Sequence, residues 1–420
     1  MGLLRTSKAP NRMRGTIALL VTMGLAIVSA CGGSSTSTKN SPVNIGVIAG
    51  FTGSYVSFSD ELLNGVQVAA YLINQSGGIN GGKVNVIPVN DGLDPVDAVP
   101  AVQKMLATDN VQLEAGLAAL DYTAGLPILN KAKMVSVSYI GPDYGPQVMP
   151  YHWNMNPSDS QLGLAMADYA NIKGYKRIAV VFDTSLGAQS IVPSVKEAAQ
   201  KLGLQIVASP VIPENVTSYQ TAISQVVSSN PDAVLLQVEP AQAGAFFQQW
   251  QSQGAGQLPV IGTDVTLDQS WLKAIGPQEA SHVTSIEGVQ RTSSPFYTSF
   301  VNTWATVVQH PFSYVGSFLY DGTIMAALAM VDAKSTDPTV YYKYIDDVTL
   351  PGTDKTTIYS YADGVRLLKA GVKIKYSGIT GPLVFNQYHR PTGDYGAYTG
   401  AIGSDPVQVA IIKADDLVGL

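Results

Sequence analysis

From residue 43 onward the chain alternates short apolar runs with amphipathic segments, and this alternation restricts the fold more than any other feature. Residues 43–49 are an apolar run stopped by Gly50, as in a buried strand. Leu62, Val66, Ala69 and Ile73 then recur at helical spacing, and Gly77-Gly78 ends that helix. Residues 83–89 read as a strand in which Pro88 marks an edge position or the strand's end. A helix over 95–107, a strand over 111–118, a helix over 123–131 and a strand over 134–138 complete the first run. The pattern restarts with a strand at 177–182 and a helix face at Val192, Val195, Ala199 and Leu202. It continues through 204–208, 219–229, 233–238, 241–253 and 259–261. Strands separated by amphipathic helices form parallel sheets covered on both faces, so the expected class is α/β with two doubly wound lobes. The remainder holds a long helix at 317–333 and a Gly- and Tyr-rich segment at 376–412 that reads as short antiparallel strands.

The first thirty residues are of another kind. Arg5, Lys8, Arg12 and Arg14 precede a mostly apolar run of 13 residues, 16–28, and then Ser29, Ala30 and Cys31. A basic start, a short apolar centre and small residues before a cut site describe a secretory signal peptide over 1–30. The run is shorter than the roughly twenty residues of a spanning helix, and no later stretch is expected to span a membrane. Val28-Ser29-Ala30-Cys31 resembles the bacterial lipoprotein box, in which the Cys thiol takes a lipid and becomes the new N-terminus. Cys31 is the one cysteine of the chain, so it has no partner for an internal disulfide. Residues 31–42, rich in Gly, Ser and Thr, then read as a flexible tether between lipid and domain. Losing the leader leaves 21 basic against 31 acidic side chains, which makes nucleic acid an unsuitable partner.

The catalytic inventory is thin. Gly77 to Lys83 has the spacing of a phosphate-binding loop, but Val84 stands where its Ser or Thr belongs, and the loop follows a helix and leads into a strand. The four histidines, His152, His282, His310 and His389, show no metal-ligand spacing, and there is no G-x-S-x-G elbow. Asp91, Asp94 and Asp97 lack the glycine and terminal Glu of a calcium loop and suit the capping of the next helix. The expectation is a binding protein, not an enzyme, without metal or cofactor. In parallel sheets the ligand lies beyond the carboxyl ends of the strands. There, helix starts would offer free N–H groups to a carboxylate or carbonyl.

Several segments together resemble the branched-chain amino acid binding proteins of ABC importers. They are Asn44-Ile45-Gly46-Val47-Ile48, Phe51-Thr52-Gly53-Ser54-Tyr55, Asn64-Gly65 and, most specifically, the run from Ile73 to Gly81. Asp94-Pro95, Gly174 to Val181, Pro231-Asp232-Ala233-Val234 and Tyr320-Asp321 continue the likeness in order. The resemblance implies a type I periplasmic-binding-protein fold, two lobes joined by a three-strand hinge. Lobe 1 would comprise 43–160 plus about 289–380, and lobe 2 about 161–288 plus about 381–420. It further implies an extracytoplasmic, membrane-tethered protein that hands a small solute to ABC permease subunits. The alternative is a sensory protein of the same fold reporting to a membrane receptor.

The family's ligand contacts fall on this chain with departures. Its acidic ammonium partner corresponds to Asp264, for which capping of the following helix is the other role. Its small hydroxyl residue is replaced by Leu120, flanked by Asp121 and Tyr122. Ser138 is retained, but the later Thr position is Pro142. Two second-lobe tyrosines fall near Leu186 and near Val238 or Glu239. Tyr55, Phe58, Tyr122 and Tyr139 serve either as stacking surfaces or as lobe packing. These departures point away from an ordinary branched-chain amino acid and toward another amino-acid-like, amide or aromatic solute. Asp121 would repel a carboxylate if it faced the cleft.

Overall fold

The computed structural model describes residues 41–420 except 54, 145–148, 214–215, 290–293, 310–311, 313 and 392. The expected signal peptide, Cys31 and nearly all of the expected tether lie outside the described residues.

The first sheet is built from β1 (Val43–Ala49), β2 (Val84–Asn90), β3 (Val111–Ala118), β4 (Ser136–Tyr139) and β5 (His152–Asn154). Helices α1 (Val56–Gln75), α2 (Pro95–Thr108) and α3 (Tyr122–Lys131) connect its strands. All neighbours are parallel, in the order β2-β1-β3-β4-β5. β2 is the edge strand, which accommodates Pro88. The chain then runs through α4 (Asp159–Ile172), β6 (Arg177–Asp183), α5 (Leu186–Leu202), β7 (Gln205–Ala208) and β8 (Val211–Ile212). It continues with α6 (Gln220–Ser228), β9 (Ala233–Gln237), α7 (Pro240–Ser252), β10 (Val260–Gly262), α8 (Gln269–Ala280) and β11 (Val283–Gly288). Here the order β7-β6-β9-β10-β11 repeats that of the first sheet. Both are the doubly wound 2-1-3-4-5 arrangement, whose crevice opens where the winding reverses, between β1 and β3 and between β6 and β9.

After β11 the chain returns to the first lobe with α9 (Tyr297–Val308) and α10 (Tyr314–Asp332). A separate pair, β12 (Thr356–Ile358) and β13 (Ile374–Tyr376), is parallel and precedes the segment expected to hold antiparallel strands. β14 (Tyr395–Thr399) and β15 (Val407–Ile412) are antiparallel and extend the second sheet beyond β11. The chain therefore passes between the two sheets three times, after β5, after β11 and before β14.

α10 is the core of the first lobe. It is 19 residues long and apolar enough to span a membrane, contrary to the sequence expectation, but it is buried almost throughout. An all-apolar helix is stable in water only when wrapped in this way. Its buried charged residue, Asp321, accepts from Tyr376 Oη (2.6 Å), Ile379 N (3.1 Å), Thr380 N (2.8 Å) and Thr380 Oγ1 (2.7 Å). α1 crosses α10 at Gly65 and Gly316, where a Cβ on Gly65 would lie 1.9 Å from the Gly316 carbonyl oxygen. That close approach fixes α1, which carries Phe58 and Glu61 toward the crevice.

Candidate functional site

Where the two reversal points face each other, a cavity of about 130 Å³ lies between the lobes. Its size is of the order of an apolar cavity that holds one benzene ring, about 150 Å³. The first lobe supplies Tyr55, Phe58, Leu120, Tyr139 and Tyr314; the second supplies Ser185, Gln237, Glu239, Asp264 and Asp268. Asp159, at the start of α4 on the first crossover, completes the wall. Tyr139 is held edge-on between Phe58 (5.9 Å) and Phe318 (5.4 Å).

Six residues singled out from sequence therefore meet here: Tyr55, Phe58, Leu120, Tyr139, Glu239 and Asp264. The other four stand off the cavity wall. Asp121 is buried behind it, its Oδ1 accepting from Ala118 N (2.7 Å), and it packs against Asp91. Burial and the Asp91 charge push its carboxyl well above the usual range, so it presents no charge to the cleft. Tyr122 packs in the α2–α3 layer beside Tyr144. Ser138 is buried between His152 Nε2 (3.2 Å) and Asn154 Oδ1 (3.2 Å). Leu186 opens α5 at the surface, 47% exposed, while its neighbours Ser185 and Gly187 line the cavity. Val238 is buried, its carbonyl accepting from Trp271 Nε1 (2.8 Å).

The sequence did not point to Glu61, Asp159, Phe312 or Tyr314. Asp159 begins a helix whose mixed face masks its periodicity, and Phe312 and Tyr314 precede the start expected for the long helix, residue 317. The one available signal was Ser158-Asp159 as a helix start, with Ser158 Oγ accepting from Gln161 N (3.3 Å).

Two hydrogen bonds tie the lobes across the cavity. Tyr139 Oη donates to Asp264 Oδ2 (2.5 Å), and Ser57 Oγ donates to Asp268 Oδ2 (3.1 Å). Asp264 is enclosed by both lobes although open to the cavity; burial raises its pKa, and the Tyr139 bond pulls part of that back. Burial pushes Asp159 up to about 7, opposed by a hydrogen bond from Ser190 Oγ. Glu287, at the end of β11, is buried with neither carboxyl oxygen hydrogen-bonded. Burial, and then the charge of Asp264, hold it well above its usual range. The buried cation nearby, Arg390, is turned away: its guanidinium donates to the carbonyls of Ile140 (3.2 Å), Gly141 (3.1 Å) and Pro142 (2.7 Å) and lies over the Tyr144 ring.

The rim amides differ from the expectation of free donors. Leu93 N donates to Asp91 Oδ1 (2.9 Å), and Ala118 N to Asp121 Oδ1 (2.7 Å). In the second lobe Asp183 takes Ser185 N (2.9 Å) and Glu239 N (3.0 Å), and Asp268 takes Ser270 N (2.6 Å) and Trp271 N (3.0 Å). The chain's own carboxyl groups thus occupy six of the amide donors at these rims. Among the described residues no group of His, Cys, Asp or Glu could hold a metal ion.

The sequence model of the periplasmic binding protein family matches residues 42–399. The chain is 24% identical over 289 residues to a Leu/Ile/Val-binding protein homolog of Brucella melitensis, covering 68% of this chain and 75% of that one. It is 23% identical over 320 residues to an amino acid binding protein of Pseudomonas aeruginosa, covering 75% and 85%. Among solved structures it is similar to a branched-chain amino acid transporter substrate-binding protein of Streptococcus pneumoniae in complex with isoleucine. That match has a TM-score of 0.74 and 19% identity, covering 89% of this chain and 99% of the other. It is also similar to an ABC transporter solute-binding protein of R. palustris in complex with benzoate (TM-score 0.71, 14% identity, 88% and 96% covered). These likenesses establish the two-lobe fold.

Proposed function

The chain belongs to the periplasmic binding protein family, a family of extracytoplasmic binders and not enzymes, and from that premise we propose that it captures a small organic solute between its lobes and delivers it to the permease of an ABC importer. The observation that carries this reading is the cavity at the two facing reversal points, bridged by Tyr139 and Asp264. A solute seated there would touch both lobes at once, so binding would favour the closed arrangement by its differential contacts. Tyr55, Phe58, Leu120 and Tyr139 would hold its apolar body, and Glu239 and Asp264 its polar end. Relatives of this fold hold isoleucine and benzoate, solutes of a size that suits the cavity.

Cys31 would be the lipid attachment site, with residues 31–42 as tether, which would keep the lobes beside their membrane partner. Stable anchoring needs two acyl chains, since one gives only marginal binding. Metabolic labelling with a fatty acid should mark the wild-type chain and not Cys31→Ala; equal labelling of both would exclude this anchor.

The test of the binding reading is a thermal-shift screen of amino acids, amides, polyamines and aromatic acids, followed by small-angle scattering on each hit. A ligand of the native state raises apparent stability by mass action. At least one compound should raise the melting midpoint of the wild type and lose that effect in a Tyr139→Ala variant. A screen in which nothing binds, for a chain that still folds, would sink the proposal.

A further inference from the structure

We propose that the solute is an organic cation, an amine on a compact aromatic or branched apolar body, and that it carries no carboxylate. This inference rests on the reading of the cavity as a solute site and names the chemistry of that site.

Among the described residues the charge of the wall is one-sided. Glu61, Asp159, Glu239, Asp264 and Asp268 line the cavity, and among the described residues no Lys, Arg or His does. Arg390 spends its donors on the carbonyls of Ile140, Gly141 and Pro142. An amino acid or aromatic acid needs donors for its carboxylate, and several of the rim amides that could supply them are taken. Asp91, Asp121, Asp183 and Asp268 accept from the N–H groups at four rim turns. Leu120 and Pro142 stand where hydroxyl donors would help.

The complementary charge is in excess. Asp264 accepts from Tyr139, and behind it Glu287 is 3% exposed with both oxygens unpartnered. Two enclosed carboxyl groups thus share one neighbourhood with no positive charge among the described residues; burial favours their neutral forms, and an arriving cation would favour the ionised ones. Tyr139, Phe58, Tyr55 and Tyr314 surround the same space, and aromatic faces attract an ammonium group as well as packing an apolar body. Acid on one side and rings on the other select a cation with an apolar body.

The experiment keeps the body constant and changes the head. 2-Phenylethylamine, 2-phenylethanol, phenylalanine and 3-phenylpropionate form one series; isoamylamine, isoamyl alcohol, leucine and 4-methylpentanoate form the other. Titration calorimetry on the unmodified protein at pH 7.5 should show the amine of at least one series binding about tenfold or more tighter than its alcohol. The zwitterion and the carboxylate should be weaker still. Asp264→Asn, which keeps an acceptor for Tyr139, should lower amine affinity about tenfold and alcohol affinity by clearly less. If phenylalanine, leucine or either carboxylate binds as tightly as its amine, the cation inference falls while solute binding stands. If no head of either series binds and the broader screen finds an uncharged or anionic solute, the inference falls in the same way. If nothing binds at all, the solute-binding reading falls with it.

Discussion

Glu114 offers a measurable consequence of how the rim is built. It lies in β3, fully buried, with Oε1 accepting from Leu117 N (3.3 Å) directly below the turn that presents Leu120. Burial pushes its carboxyl up to about 8 from an ordinary 4.5, and the Ser136 hydroxyl and Leu117 N–H offset only part of this. A folded pKa above the unfolded one means that the contribution to stability is full below 4.5 and is lost as pH rises through 8. Between those values the unfolded chain releases a proton that the folded chain keeps. Each pH unit in that window costs about 1.4 kcal/mol, so from pH 5 to pH 8 the loss from this one group is about 3–4 kcal/mol. Glu114→Gln removes the titration but leaves a buried amide whose donors lack acceptors, a pH-independent cost of about 1–3 kcal/mol. The variant should therefore be less stable than wild type at pH 5 and more stable at pH 8. Urea unfolding at the two pH values measures this, and taking the difference between variant and wild type cancels the other buried carboxyls. Parallel pH dependence of the two proteins would refute the argument, because Glu114 would then be titrating as a solvated acid.

Other outcomes rest on named contacts. Tyr139→Phe removes the donor to Asp264 and little else, a bond to a carboxylate worth about 1.5–3 kcal/mol; the unliganded protein should open, seen as a larger radius of gyration by small-angle scattering, and an unchanged radius would show that the bond does not hold the lobes together. Gly65→Ala places a methyl 1.9 Å from the Gly316 carbonyl, backbone that cannot step aside, so stability should fall by about 3 kcal/mol; a melting midpoint equal to wild type would contradict the close crossing of α1 and α10. Burial lowers the pKa of His152 from 6.5 to about 3. The unfolded chain takes up that proton first, so this group erodes stability as pH falls from 6.5 toward 3; NMR should find the His152 ring neutral at pH 4.5, and a protonated ring in the folded protein at that pH would refute the assignment.

The regular part of the fold was written in periodicity. Largely apolar runs give β1 and β3 their bounds, because strands buried on both faces are mostly apolar, with Glu114 the buried charged residue of β3. β5 is only His152–Asn154 and carries two polar residues, so no run announces it; β11 mixes Thr, Ser and Glu into its core face. The site was harder for a physical reason. Lining residues come from strand-end turns, where side-chain direction depends on backbone detail, not on period. At the end of β3 the register shifts between Gly116 and Ala118, and a bulge of this kind re-aims the side chains beyond it. Gly116 permits it, since a Cβ there would meet the Ile48 carbonyl at 2.1 Å. Leu120 consequently faces the cavity and Asp121 turns inward, a distinction of one residue that spacing cannot make. Ser138 shows the same limit: likeness picked out its position, but its hydroxyl faces His152 and Asn154, away from the cavity.

Asp321 has a consequence that begins before the fold exists. An exported chain meets a membrane while still unfolded, and by length and composition alone the 19 residues of α10 match a spanning helix, as buried core helices often do. A carboxylate at the centre of such a segment costs about 2.5–3.5 kcal/mol on insertion, enough to favour passage over retention. Once across, the same group is buried again, now met by the donors of Tyr376, Ile379 and Thr380. Replacing it with Leu should therefore act on sorting as well as stability, raising the membrane-retained share of the chain in a cell fractionation; an unchanged share would show that the carboxylate plays no part in passage.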